Sequence, residues 1–337
     1  MLDSLEEWLQ IDSTTGREAE FLEFLEDRLT ALGLETRRQH VAEADPDAGP
    51  TARWNLVAEA SRNPSLWFST HVDCVPPHLP VRREGDTLYG RGACDTKGGL
   101  FAMLRAAERL LEDGVDDFGF LLVVGEEVDH RGAKQARQLD LQADRLILCE
   151  PTRNRVVSGQ KGMVKVELSS EGRAGHSAFP DEGVSAIARL LDALQALRSS
   201  RWPEDELLGE TTLNVGVLEG GVAANVFAPS ARAELVFRTF SSSGALLDKI
   251  EALCGNNARV EPVTYNDPVE FEPPGGFETC VVPFNTDATY LSELAPVWLV
   301  GPGDIRLAHS EREHIDAASL REGVDLYVRL ARLALDV

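Results

Sequence analysis

The sequence predicts an α/β protein in which a small β-α-β-β-α-β domain is inserted into a larger one. Three observations carry this. Apolar runs of strand length alternate with amphipathic helices between residues 54 and 150. The strand at 163–172 instead alternates with one wet face. At 296–303, PVWLVGPG returns to the buried-strand style. Residues 1–157 and 267–337 are therefore assigned to one domain and 158–266 to the insert. A chain of 337 residues is long enough for two cores.

Residues 3–32 read as two helices broken at Asp12-Ser13-Thr14-Thr15-Gly16. In the second, Phe21, Leu22, Leu25, Leu29 and Leu32 share a face, and Gly33 stops it. The stretch 42–51, AEADPDAGPT, is turn-like. WNLVAEA (54–60) and SLWFST (65–70) read as strands. In the helix 98–114, Leu100, Met103, Leu104, Ala107, Leu110 and Leu111 line one face before Gly114. GFLLVVG (119–125) and RLILCE (145–150) are continuous apolar runs, which suits a sheet covered on both faces. The inserted block reads as strand 163–172, helix 185–199, strands 211–221 and 231–240, helix 243–255 and strand 258–265. That is the split pattern of a one-sheet, two-helix domain.

Charge and composition exclude several classes. The net charge is −23, which disfavours polyanions such as nucleic acid. No apolar run approaches the ~20 residues of a membrane span, and the acidic start MLDSLEEWLQ lacks the features of a signal peptide. The expected location is the cytoplasm. The five cysteines, Cys74, Cys94, Cys149, Cys254 and Cys280, form no CxxC pair and read as small buried hydrophobes. Three of them lie beside the candidate site, where oxidation could reach them.

The chemistry gathers at the strand ends. SLWFST runs into His71-Val72-Asp73, GFLLVVG into Glu126-Glu127, and RLILC into Glu150. PVWLVGPG leads by a short loop to His309, and Asp95 precedes the strong helix. In open α/β sheets ligands bind beyond the carboxyl ends of the strands. Each residue alone has a bland reading: a common His-x-Asp, a solvated Glu pair, a surface histidine. Their coincidence at strand ends favours convergence. Imidazoles and carboxylates in this number suit a pair of zinc-like ions, which need a bridging carboxylate and terminal ligands. Asp95, in a Gly-rich segment, is a plausible bridge. Asp73 could hydrogen-bond the far nitrogen of His71. Of Glu126 and Glu127, one could bind metal while its neighbour handles a proton.

His71-Val-Asp73-Cys-Val-Pro76, Gly90-Arg91-Gly92-Ala-Cys-Asp95-Thr-Lys97-Gly98-Gly99 and Gly125-Glu126-Glu127 strongly resemble the di-zinc aminoacylase and carboxypeptidase G-like superfamily. It includes acetylornithine deacetylase, succinyl-diaminopimelate desuccinylase and several di- and tripeptidases. The segment from Gly301 through Gly303 and His309 to Glu313 and Ile315 looks most like the acetylornithine and acetyl-lysine deacetylase branch. The resemblance implies a mixed-sheet di-zinc catalytic domain and a ferredoxin-like lid and dimerisation domain. It implies that Asp95 bridges two metals, that His71 and Glu150 complete one site, and that Glu127 and His309 complete the other. The metals would be Zn²⁺, with Co²⁺ or Mn²⁺ as alternatives. Glu126 becomes the general base and Asp73 the residue that orients His71, and the Asp95–Thr96 peptide is expected to be cis. His176 matches a lid histidine that reaches an active site, its own or a partner's. Arg238 and Asn225 match positions that meet the substrate's carboxylate end, and Gly301 and Gly303 fall in the substrate pocket. Lys97 has no evident metal role.

The implied activity is hydrolysis of the amide of an N-acyl amino acid by a homodimer joined through the insert. The expected substrate is an N-acetylated basic amino acid (ornithine, lysine or citrulline type) in amino-acid biosynthesis. A di- or tripeptidase and an N-succinyl amino acid desuccinylase are the alternatives. A non-catalytic metal-stabilised binding protein would be expected to lack a ligand or the base, and none is missing.

Overall fold

Residues 1–42, 53–206 and 209–337 are described by a computed structural model. Apart from Ala42, the turn expected at 42–51 lies outside the described residues. The chain divides into two compact units. One comprises Met1–Ser158, Phe271–Cys280 and Thr286–Val337, and the other Gly159–Glu270 and Val281–Asn285. The insert thus extends past the expected boundary at 266. The reason is pairing: Val269 and Glu270 are in register with Gln160 and Gly159, and the Lys161 N–H reaches the Val282 carbonyl.

In the first unit, helices α1 (Leu2–Gln10) and α2 (Ala19–Ala31) are followed by strands β1 (Glu35–Val41), β2 (Arg53–Glu59) and β3 (Leu66–His71). Helix α3 (Lys97–Glu112), strand β4 (Phe118–Val123), the short helix α4 (Arg131–Ala136) and strand β5 (Arg145–Leu148) come next. The second unit supplies β6 (Gly162–Glu171), α5 (Ala186–Ser199), β7 (Thr212–Gly220), β8 (Ser230–Thr239), α6 (Ser243–Cys254) and β9 (Arg259–Asn266). The chain returns to the first unit with β10 (Val297–Leu299) and ends in α7 (Ala317–Ala334).

The main sheet is mixed, with order β1-β2-β4-β3-β5-β10. β3, β4, β5 and β10 are mutually parallel, while β1 and β2 run antiparallel to their neighbours. β3, β4 and β10 are buried along their whole length, as their unbroken apolar runs require of a sheet covered on both faces. Trp8 of α1 packs edge-on against Phe21, Phe24 and Phe101, which ties the first two helices to α3. Phe68 meets Phe120 and Tyr327, and the Tyr327 hydroxyl donates to the Val300 carbonyl at 2.9 Å.

The second unit holds an antiparallel sheet of order β7-β8-β6-β9. Along β6 buried and half-buried residues alternate, so Val164, Val166 and Leu168 face one side. They join Leu235 and Phe237 of β8, Leu190, Leu194 and Leu197 of α5, and Leu246 and Ile250 of α6 in a separate core. Ser185 caps α5 and Ser242 caps α6, each accepting an N–H three residues on. Among the described residues no helix is long and apolar enough to cross a membrane.

Candidate active site

The four parallel strands of the main sheet end on one edge, and the residues that follow them converge there. β3 ends on His71. β4 leads through Gly125 to Glu126 and Glu127, β5 leads to Glu150, and the loop after β10 carries His309. Asp95 sits just ahead of α3. Residues 98 and 99 let that helix start close to its neighbours. A Cβ on Gly98 would fall 2.2 Å from the Ala93 carbonyl oxygen, and one on Gly99 2.0 Å from the Cys149 sulfur.

Asp95 lies between the two histidines. Its Oδ1 is 3.2 Å from His71 Nε2 and its Oδ2 is 3.2 Å from His309 Nε2. His309 Nε2 is also 3.0 Å from Glu127 Oε2, and His71 Nε2 is 3.8 Å from Glu150 Oε1. Ligand atoms of His71, Asp95 and Glu127 all lie within 4.8 Å of one another. The peptide between Asp95 and Thr96 is cis.

Electrostatics follow from burying so many acids together. Burial raises Glu150 well above the usual carboxylate range, and it raises Glu127, with Asp95 adding to the effect. Glu126 is pushed up to about 8 by burial, although His71 and His130 pull the other way. At Asp95 burial also disfavours the charge, but the hydrogen bonds from His309 and His71 prevail and hold it below its ordinary range. Those bonds from Asp95 and Glu127 lift His309 to about 10.

The residues fit a pair of divalent cations. Glu127 Oε1 and Glu150 Oε1 are buried and have no hydrogen-bond partner among the described residues. A buried carboxylate oxygen without a partner is costly unless a cation compensates it. Oxygen and imidazole nitrogen are the donors that zinc-like ions accept.

Asp73 meets His71 through both its carbonyl and its carboxylate. The nitrogen of His71 that points away from Asp95 is 2.9 Å from the backbone carbonyl of Asp73, and 3.6 Å from its carboxylate. The carbonyl is thus the nearer partner of the ring. The carboxylate turns to the loop after β4: Oδ1 accepts the N–H of Gly125 at 2.8 Å and of Glu126 at 3.2 Å. Its Oδ2 accepts the N–H of Glu127 at 3.3 Å and the Thr15 hydroxyl at 2.9 Å. Three consecutive amides on one carboxylate set where both glutamates stand.

Several supporting residues had no assigned role in the sequence. Glu313 Oε2 accepts from Arg91 at 2.5 Å, and Oε1 accepts the N–H of Cys94 at 3.3 Å and of Asp95 at 3.2 Å. The buried pair ties the segment after His309 to the one that carries Asp95. Lys97 points away from the acids and donates to the carbonyls of Trp8 and Ile11, at 3.2 and 2.6 Å, with its ammonium 4.2 Å from the centre of the Phe21 ring. It closes the C-terminal end of α1. His130 and Asp287 form a second cluster with Glu126. The Glu126–His130 spacing of i,i+4 was a visible signal, but nothing local pointed to Asp287.

Gly301 is buried, and a Cβ there would meet the Glu150 carbonyl oxygen at 2.6 Å. Gly303 has φ +92°. Close packing at Gly301 and the left-handed backbone at Gly303 each favour glycine. Cys74, Cys94 and Cys149 are buried, and burial pushes Cys74 and Cys149 up to about 12. These thiols are poorly suited to oxidation.

The remaining sequence candidates lie in the second unit. His176 is exposed and bridges to Val226, and its Nδ1 accepts the N–H of Ala178 at 3.1 Å. The Asn225 carbonyl accepts the N–H of Ser177 at 3.0 Å, so the two segments run side by side. Arg238 is half-buried on β8, opposite Met163 of β6 and Thr212 of β7.

Comparison with known proteins gives this arrangement a context. The model of peptidase family M20/M25/M40 matches residues 67–333. A peptidase M20 domain-containing protein of Schizosaccharomyces pombe is 35% identical over 96% of this chain and 82% of its own length. A probable carboxypeptidase of Aspergillus terreus is 33% identical over 97% of this chain and 84% of its own. Among solved structures, a tripeptidase of Staphylococcus aureus superposes with a TM-score of 0.81 at 23% identity, covering 100% of this chain and 98% of that one.

Proposed function

This chain belongs to peptidase family M20/M25/M40 and is a hydrolase of amide or peptide bonds, and from that premise we propose that it uses two divalent metal ions, Zn²⁺ first, to remove the C-terminal residue of a short peptide or the acyl group of an N-acyl amino acid. The single observation that supports the metal centre most strongly is the pair of orphaned buried oxygens on Glu127 and Glu150: Glu127 clusters with His71 and Asp95, Glu150 lies 3.8 Å from His71, and His309 lies 3.0–3.2 Å from Glu127 and Asp95.

In this reading Asp95 is shared between two cation positions, because its two oxygens face different histidines. His71 and Glu150 serve one position, and Glu127 and His309 the other. When bound, the cations would acidify water and polarise the scissile carbonyl. Glu126 stands beside Glu127 as the general base and takes the proton from the attacking water. The same carboxyl can then return that proton to the leaving amine. Asp73 fixes the amides of 125–127 and so the placement of that base.

His176, Asn225 and Arg238 remain proposed substrate contacts from the insert. Arg238 is suited to a substrate carboxylate by the fork geometry of its guanidinium. We place short peptides first because the curated relatives carry carboxypeptidase names and the superposed structure is a tripeptidase. Deacetylation of an N-acetylated basic amino acid, in arginine or lysine biosynthesis, draws no specific support from these comparisons. We also propose a homodimer through the insert. Its β7 is an edge strand, and beside it Leu191, Leu194, Trp202, Leu213, Val215 and Leu218 line a depression of about 750 Å³.

The test is a side-by-side assay of the zinc-loaded protein on dipeptides, tripeptides, N-acetyl-ornithine, N-acetyl-lysine, N-acetyl-citrulline and N-succinyl amino acids. Metal-dependent release of an amino acid is expected, fastest from the peptides. Turnover of none of these, with two metals bound, would overturn the reading. Light scattering reads the dimer directly.

A further inference from the structure

We propose that His130, locked by Asp287, is a positioning residue that holds the Glu126 carboxylate in its working place and off the metal-ligand set. This rests on the reading of Glu126 as the general base.

The local chain folds His130 back onto Glu126. The Gly125 carbonyl accepts the N–H of Asp129 at 3.1 Å and of His130 at 2.8 Å. This closes a tight turn that starts on Gly125 at φ +79° and ends on His130 at φ +57°. A left-handed residue there directs the chain into α4 and returns the imidazole toward the residue four positions earlier. His130 Nδ1 lies 3.6 Å from Glu126 Oε1.

Asp287 sets the orientation of that ring. Its Oδ1 is 2.9 Å from His130 Nδ1. One nitrogen carries one hydrogen, and the shorter distance gives it to Asp287. The Glu126 carboxylate then faces the positive edge of a ring that is already held. Asp287 precedes the short helix Ala288–Leu291, yet its side chain does not cap it. The Thr286 hydroxyl accepts the Ala288 N–H instead, at 3.1 Å. The carboxylate is thereby left for His130. Asp287 is only 1% exposed, and its Oδ2 has no hydrogen-bond partner among the described residues. Such an acid costs stability, which argues that its place is kept for what Oδ1 does. Tyr290, from the same segment, packs its ring 5.5 Å from that of His130 and limits rotation of the imidazole.

The arrangement answers a specific need. Glu126 and Glu127 are adjacent, and both are carboxylates within reach of the cation positions. A base whose carboxylate coordinated a cation would be a weaker proton acceptor. The positive edge of an imidazole held beside Glu126 attracts its carboxylate across 3.6 Å and keeps the two glutamates in different roles.

The test uses His130→Asn and His130→Gly in the zinc-loaded protein. Both residues tolerate φ near +57°, and Asn keeps an N–H close to the position of Nδ1. We expect two metals per chain in both variants and KM within about twofold of wild type. For His130→Gly, kcat should fall about tenfold or more, a loss of ~1.4 kcal/mol in transition-state stabilisation. His130→Asn should recover most of it, and Asp287→Ala, which removes the acceptor that orients the ring, should resemble His130→Gly. In the Glu126→Gln background, adding His130→Gly should leave the residual rate unchanged, because the two act as a unit. Wild-type kcat in His130→Gly, loss of metal, or a further multiplicative fall in the Glu126→Gln background would each overturn the proposal. If Glu126→Gln alone keeps wild-type kcat, the base assignment fails, whatever the His130 variants do.

Discussion

The carboxylate of Asp73 accepts the backbone N–H of Gly125 at 2.8 Å, across the ends of two parallel strands. With the amides of Glu126 and Glu127 on the same group, one acid determines where a base and a ligand stand. Asp73→Asn turns one of the two accepting oxygens into a donor against those amides. We expect kcat to drop about 100-fold or more through the displaced Glu126, with ~2 kcal/mol lost in urea unfolding. An unchanged kcat would show that the loop holds its shape without Asp73.

Metal content separates ligands from the base. Glu127→Ala, His309→Ala and Glu150→Ala should each leave less than the wild-type stoichiometry after dialysis, measured by metal analysis of the purified protein. Glu126→Gln should keep it and lose turnover by about 10²–10⁴-fold. Full stoichiometry in all three ligand variants would remove the assignment.

Chelation should destabilise the fold as well as stop the reaction. The buried oxygens of Glu127 and Glu150 have no other compensation among the described residues. Returning zinc at about 100 times its Kd should restore ~2.7 kcal/mol per site, read as a rise in Tm. A Tm indifferent to metal would mean that the acids are accommodated in some other way.

Arg91 and Glu313 form a buried pair that also holds the amide of Asp95. Glu313→Gln leaves the Arg91 charge buried without its counter-ion, at a cost of ~3–5 kcal/mol. Replacing both partners by apolar residues should cost less. If the double variant is no more stable than the single one, the unpaired-charge explanation is wrong.

Cys74 and Cys149 are buried and raised to about 12, so their thiolates are absent at neutral pH. A thiol reagent added to native protein at pH 7 should label the half-buried Cys280 first, and Cys74 and Cys149 only on unfolding. Rapid native labelling of Cys74 or Cys149 would contradict this.

Much was legible because hydrophobic periodicity is local. The apolar runs before His71, Glu126 and Glu150 predict buried strands, and a strand's end must deliver the next residues to the sheet's edge. The inserted β-α-β-β-α-β order was readable for the same reason. What only the tertiary structure decided are contacts that carry no periodic signature. Asp287 reaches His130 from 157 positions away, and Glu313 reaches the Asp95 amide from 218. The carboxylate of Asp73, beside the imidazole two residues before it, also takes three amides from the loop after the next strand. In each case a buried polar group had to find partners, and those available depended on which distant segments packed beside it.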